Sequence, residues 1–315
     1  MPGITRQSII RGPGRLTLGE TVIDTKDGIA LAQESVTQDL ASDLAGFLGT
    51  IQSDQKLTVS ATPYGALSAA LLATLYPDAL RTPAVGSSLF GAADVACKVH
   101  SSAGVLVTLF AAALTSPPGL NLSAVATAFG PLEITAVPAN GKLPGEADAL
   151  LKAAAQAWTP AVQARPPTGA KYSAAFGGLT FAETAAGFRC EFAVSAEPVV
   201  SDNAGTLDMT LSGVRPSCTF QALDQTEAAV IALLGLNRAR GSSTASGEDL
   251  VITGSNGLTV TLFNCSVARG PLNWGAGSLR AGELLFQASP DPATGMIFDI
   301  DYSDPSEPDE PEEPT

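Results

Sequence analysis

The sequence predicts a mainly-β chain: two tandem copies of one β-sandwich or partial-barrel unit, each flanked by one short helix. Three observations lead there. Short runs alternating apolar and polar residues recur along the chain, as half-buried strands do. Thirty-one glycines and 22 prolines supply the turns between them. An ordered set of features also occurs twice, and self-similarity of that kind marks a duplicated unit.

The repeat is clearest in Val105-Leu106-Val107-Thr108-Leu109-Phe110 after Gly104 and Leu258-Thr259-Val260-Thr261-Leu262-Phe263 after Gly257. Eight residues beyond each Phe stands a proline, Pro118 or Pro271. Leu120-Asn121-Leu122 then matches Leu272-Asn273-Trp274, and Leu132-Glu133-Ile134 matches Gly282-Glu283-Leu284. Upstream, Asp94-Val95 pairs with Asp249-Leu250. Leu57–Ala61 running into the apolar block 66–75 pairs with Cys218–Ala222 running into 227–236.

Taken in order, Lys56–Ala61 alternates and predicts a strand. Thr62-Pro63 predicts a helix start, with threonine as N-cap and proline in the first turn. Leu67, Leu71, Leu72 and Leu75 form its apolar face and Pro77 ends it. Asp94–Val99 and Val105–Ala111 predict a hairpin around Ser101–Gly104, with His100 as a solvent-exposed turn residue. Pro131–Val137 predicts a further strand. Gly145–Trp158 predicts a helix, with Leu150, Leu151, Ala154 and Trp158 on one face. Pro160 to Gly169, rich in proline, predicts an inflexible linker, so the boundary falls near residue 165.

In the second copy Asp224-Gln225-Thr226-Glu227 predicts a capping-box-like start, and Val230, Ile231, Leu233 and Leu234 a buried helix face. Glu248–Thr253 and Leu258–Val267 flank Ser255-Asn256-Gly257, the strongest hairpin signal in the chain. Leu279–Ala288 predicts the last strand. The resulting division is an N-terminal arm (1–15), a first unit with a C-terminal linker helix (16–165), a second unit (166–298) and a tail (299–315).

The tail holds eight acids and no base, with prolines at 305, 308, 311 and 314. Period three matches polyproline II, so an extended, solvated tail is expected. The arm is basic, with Arg6, Arg11 and Arg15 around Ile9 and Ile10, and suits docking onto a neighbour or a loosely packed terminus.

Composition narrows function. The net charge of −14 opposes specific DNA binding, which needs basic faces to displace counterions. No run of 18 apolar residues predicts a membrane span, and the first residues lack a secretory apolar core. Charged residues make up only 15%, which is expected where much of the surface lies against other subunits. Cys97, Cys190, Cys218 and Cys265 form no paired motif and read as reduced, buried thiols.

No catalytic, cofactor or metal residues are predicted. A Ser-His-Asp machine would need His100, the one histidine, as base, yet the adjacent Ser101 and Ser102 cannot face its ring. No phosphate loop occurs, and Gly12-Pro13-Gly14 follows no strand. Asp299, Asp301, Ser303 and Glu310 have calcium-loop spacing, but Asp304 replaces the required glycine and prolines oppose the turn.

The feature order resembles the tail-tube fold of long-tailed bacteriophages, over residues 15–137 and again 172–290. Leu16-Thr17-Leu18-Gly19-Glu20 through Thr37-Gln38-Asp39 to Lys56–Pro63 is similar to the N-terminal part of phage major tail proteins. The resemblance implies two fused tail-tube-like domains and a structural, non-enzymatic virion protein without cofactors, made in the host cytoplasm and residing in the tail. Its partners would be itself, in stacked trimeric rings with pseudo-sixfold symmetry, and other tail proteins. DNA would pass through an inner β-barrel without specific binding, and no membrane would be involved. Tail terminators and distal tail proteins share the fold and are alternatives. A carbohydrate-binding or hydrolytic β-sandwich and a surface-layer adhesive protein are competing classes.

Overall fold

The computed structural model describes residues 14–42, 46–91, 93–143, 146–159, 165–201, 205–234, 247–268, 272–275 and 278–304. The fold is mainly β, with several antiparallel sheets and few helices.

The first half runs β1 (Gly14–Leu18), β2 (Thr21–Ile23), β3 (Thr25–Ser42), β4 (Gly46–Pro63), α1 (Ala69–Leu75), α2 (Asp78–Arg81), β5 (Cys97–Ser101), β6 (Val105–Leu109), β7 (Ala111–Ser116), β8 (Leu120–Leu122), β9 (Thr127–Phe129), β10 (Leu132–Val137) and β11 (Leu151–Ala155). The second runs β12 (Tyr172–Phe176), β13 (Leu179–Phe181), β14 (Phe188–Ser201), β15 (Gly205–Phe220), α3 (Glu227–Leu234), β16 (Leu250–Gly254), β17 (Leu258–Leu262), β18 (Ser266–Ala268), β19 (Leu272–Gly275), β20 (Ser278–Ala281), β21 (Leu284–Gln287) and β22 (Phe298–Tyr302).

The duplication is explicit in strand order. One sheet of the first half reads β11-β6-β5-β1-β2, and its counterpart reads β22-β17-β16-β12-β13. The other reads β7-β10-β4-β3, against β18-β21-β15-β14. Registers match as well: Leu16 opposes Ile23 as Ala174 opposes Phe181, and Cys97 opposes Leu109 as Leu250 opposes Leu262. Alternation explains the faces. In β17, Leu258, Val260 and Leu262 are fully buried while Thr259 and Thr261 are not. Leu109 is likewise buried, whereas Leu106, Phe110 and Phe263 are half-buried.

Register equivalence shows how one fold is held by two chemistries. Phe176, Phe181, Phe188, Phe220 and Phe286 fill the second core with edge-to-face and stacked rings. The matching positions of the first half are Leu18, Ile23, Ile29, Ala61 and Ile134, so that Leu132 answers to Leu284 and Ala61 to Phe220, two residues away from their partners in the sequence match. Both sets belong to one continuous apolar core.

Several expectations are corrected. Gly145–Trp158 is no helix: residues 151–155 form β11, pairing with β6 from Leu151 opposite Leu109 to Ala155 opposite Val105. Alanine-rich sequence favours helix weakly, and an open β6 edge outweighs it. Thr62 and Pro63 close β4 rather than open a helix; α1 begins after Ser68, whose Oγ accepts the Leu71 N–H (3.2 Å). In α3 the capping hydroxyl is Thr226, which accepts from Ala229 N, while Asp224 accepts from Ala182 and Glu183 N. Val267 belongs to β18, separate from β17, because Asn264 takes a left-handed φ of 45° between them. Leu279–Ala288 is likewise two strands, β20 and β21.

Nor does the solvated tail begin at Asp299. Residues 298–302 form β22, with Phe298 and Ile300 buried. Residues 305–315, the arm 1–13 and part of the linker (160–164) lie outside the described residues.

Candidate assembly interface

The chemistry-bearing residues are structural. His100 lies within β5, not in an exposed turn, and is buried. Its Nε2 stands 3.1 Å from the Gln156 carbonyl, and Trp158 covers its ring edge-on at 5.1 Å. Arg15, assigned to a free arm, lies over the other partner of that stack, with its guanidinium 5.2 Å from the Trp158 ring. All four cysteines are outside disulfides and buried. Burial pushes the Cys97 and Cys265 thiols up to about 12, which makes them poor nucleophiles. Among the described residues no three His, Cys, Asp or Glu gather as metal ligands. Asp299 and Asp301 lie on a strand, not in a calcium loop.

A cleft of about 620 Å³ runs beside Leu122–Val125, Lys171–Ser173 and Ala182–Phe188. Its titratable side chains are Lys171, Tyr172 and Glu183. Tyr172 is committed to structure: its hydroxyl bonds Thr127 Oγ1 and accepts from Asn256 Nδ2 (2.9 Å). The cleft carries no nucleophile–base pair.

What the fold builds instead is a junction between its halves. β8 and β9, from the first half, join the second half's sheet: Leu120 opposes Cys190, Asn121 opposes Arg189 and Leu122 opposes Phe188. Contact is close because Gly187, at φ 84°, has no side chain. A Cβ there would stand 2.2 Å from the Leu122 carbonyl oxygen. The segment after α2 adds to β15, with Gly86 N donating to Leu211 O, Leu211 N to Ser87 O and Leu89 N to Met209 O.

Between these two additions lies a buried knot. The Tyr76 hydroxyl donates to Pro118 O (2.7 Å), and its ring packs on Phe192 and Phe298. Burial raises its pKa well above the usual value, keeping it a neutral donor. Arg81 donates through Nη1 to Asp299 Oδ1 (2.6 Å) and through Nε to Tyr76 O. Asp299 neutralises a guanidinium that is otherwise nearly shut off from water.

The counterpart surfaces lack these partners. β3 is an edge strand, whereas its counterpart β14 carries β8. Among the described residues β19 and β20 pair only with each other. β11, the counterpart of β22, exposes all five residues. Leu151 is 42% exposed where the equivalent Phe298 is fully buried. In α3, Ile231 and Leu233 are half-buried, whereas Leu72 and Leu75 of α1 are buried.

No protein-family model and no curated protein matches the chain.

Sequence reasoning found the duplication and the Leu-Asn-Leu/Leu-Asn-Trp match, but missed that the first of these motifs crosses into the other half. The signal available was Gly187 beside Gly28: the first stands directly before β14, the second in the β3 bulge directly before Ile29.

Proposed function

We propose that the chain is a structural subunit of a phage tail tube, self-assembling into stacked rings that conduct DNA. The observation carrying this reading is the asymmetry of the two halves. The hairpin and helix of the first half cover the strand edge and sheet flank of the second, whereas the edge and flank of the first half, and the hairpin and helix of the second, are left uncovered. An interface of this head-to-tail kind repeats until a ring or filament closes. Open strand edges are normally a hazard, and a ring that pairs them removes it.

Six tube units per ring and two per chain give three chains. The open faces of the long β3–β4 and β14–β15 hairpins carry small or neutral residues such as Ala30, Ser60, Ala193 and Ser217, interrupted by Arg215 opposite Ala193 and by Arg189, which pairs with Glu191 at 2.8 Å. A lumen of that character would let DNA slide, since contacts to many phosphates would arrest it. Among the described residues no helix is long and apolar enough to cross a membrane.

Sedimentation of the purified full chain over a range of concentrations, with negative-stain imaging, tests the reading. Rings or tubes with a central channel are expected. A strictly monomeric species at high concentration, with a hydrolytic activity, would overturn it.

A further inference from the structure

We propose that the β19–β20 hairpin of one copy adds to the β3 edge of a second copy, with Leu272 opposite Leu31, Asn273 opposite Ala30 and Trp274 opposite Ile29. The inference rests on the self-assembly reading above and specifies its contact residue by residue.

The template is inside the chain. β8–β9 and β19–β20 hold the same place in the two halves, each lying between equivalent strand pairs. Ala30 and Leu31 oppose Ser60 and Val59 in the way that Arg189 and Cys190 oppose Thr219 and Cys218, which sets Ile29 at the place of Phe188. Transferring the β8–β14 register onto β19 and β3 gives the three pairs named.

Two further observations on β3 fit an absent strand. Leu31 is 42% exposed although it lies on the core-facing side, whereas Cys190, its equivalent under β8, is fully buried. Gly28 lies in the β3 bulge between Lys26 and Ile29 with a φ of 92°, directly before the stretch equivalent to β14, as Gly187 precedes β14 with 84°. At Gly187 a Cβ would strike the β8 backbone; at Gly28 nothing lies within 4 Å. The same left-handed glycine is thus present where its partner strand is not.

The occupant is a second copy rather than the chain's own hairpin. Were the halves related by a two-fold axis, β19–β20 would sit on β3 of the same chain. It forms instead a separate two-stranded sheet, and an isolated hairpin is marginal in water. Repeating the step that carries the first half onto the second leads to a new unit, so the contact is head-to-tail. Main-chain bonding to an open edge supplies affinity and the facing side chains supply register.

The test uses the full chain with Ala30→Cys and Asn273→Cys, alone and together, treated with a short bis-maleimide. Opposed residues of antiparallel strands stand within such a linker's reach, and the four native thiols are buried. The double variant should give a ladder of covalent multimers ending at the ring number, and neither single variant should. Leu31→Lys, at an already exposed position, should melt like the parent but raise the concentration for half-assembly at least ~10-fold, because assembly would bury an unpaired charge. Rings or tubes without an intermolecular 30–273 cross-link would overturn this pairing and leave self-assembly standing. An intramolecular cross-link alone would also overturn it. A monomer at all concentrations would sink both.

Discussion

The hairpin β8–β9 and the hairpin β19–β20 are built from matching sequence at matching places, yet one is seated in a six-stranded sheet and the other, among the described residues, pairs only with itself. The difference lies in what the chain supplies beyond each. The chain beyond β8–β9 goes on to supply β14, with Gly187 cleared for it; among the described residues beyond β19–β20, β21 and β22 lie in the sheets of their own half. A surface in a duplicated protein is therefore best read against its twin. Exposed Leu31 and Leu151 look unremarkable singly, but their twins Cys190 and Phe298 are buried, which is the ground for proposing both as contact positions.

The largest test of this comparison is Phe298→Ala against Leu151→Ala. Phe298 is fully buried against Tyr76 and Phe192, so its truncation should cost about 3–5 kcal/mol by urea denaturation. Leu151→Ala should stay within about 0.5 kcal/mol, as exposed sites do. Equal losses would mean that the two strands are not environmentally distinct.

Gly187→Ala and Gly28→Ala sharpen it. Both residues have left-handed φ, which costs alanine about 1–3 kcal/mol. Only Gly187→Ala adds a collision with Leu122 and Ser123 backbone, so it should lose clearly more stability in denaturant. Gly28→Ala should spare the monomer beyond that strain and weaken assembly, because its Cβ would meet the incoming strand.

A smaller difference is expected between ion pairs. Arg81–Asp299 is mostly shielded from solvent, and Asp299→Ala should cost about 1.5–3 kcal/mol. The twin position of Asp299 is Lys152, whose 3.3 Å pair with Asp148 is well exposed; Lys152→Ala should change thermal stability by less than about 0.5 kcal/mol.

The smallest effect concerns Asp301. Burial, with Asp299 beside it, raises its carboxyl above the usual range, against the opposing pull of Arg81. The folded state then holds this proton more tightly than the unfolded chain does. Its contribution to stability is complete below the ordinary aspartate pKa and is lost as pH rises through the raised value. Asp301→Asn should therefore melt slightly higher than the parent at pH 7, with the difference vanishing in acid. An unchanged difference across that range would refute the assignment.

Sequence was a good guide wherever alternation and turn chemistry act locally. The β16–β17 hairpin around Ser255-Asn256-Gly257 and the paired strands Val105–Leu109 and Leu258–Leu262 were legible because period two puts every second side chain on the core face. It misled where a distant edge decides. Leu151–Ala155 has helical composition and becomes a strand because β6 offers unpaired backbone 42–50 residues away in sequence, a loop-closure cost that ladder bonds offset. Asp299–Tyr302 reads as the start of an acidic tail and becomes β22 because β17 and Arg81 receive it.

Composition, period and the order of motifs by themselves determined that this chain is mainly β and made of two like halves, since both properties follow from side-chain alternation repeated along the sequence. Which half covers the other was decided only in three dimensions. Strand addition is made by backbone groups that every residue carries, so the sequences of β8 and β19 do not say where each will pair; the position of the next open edge does.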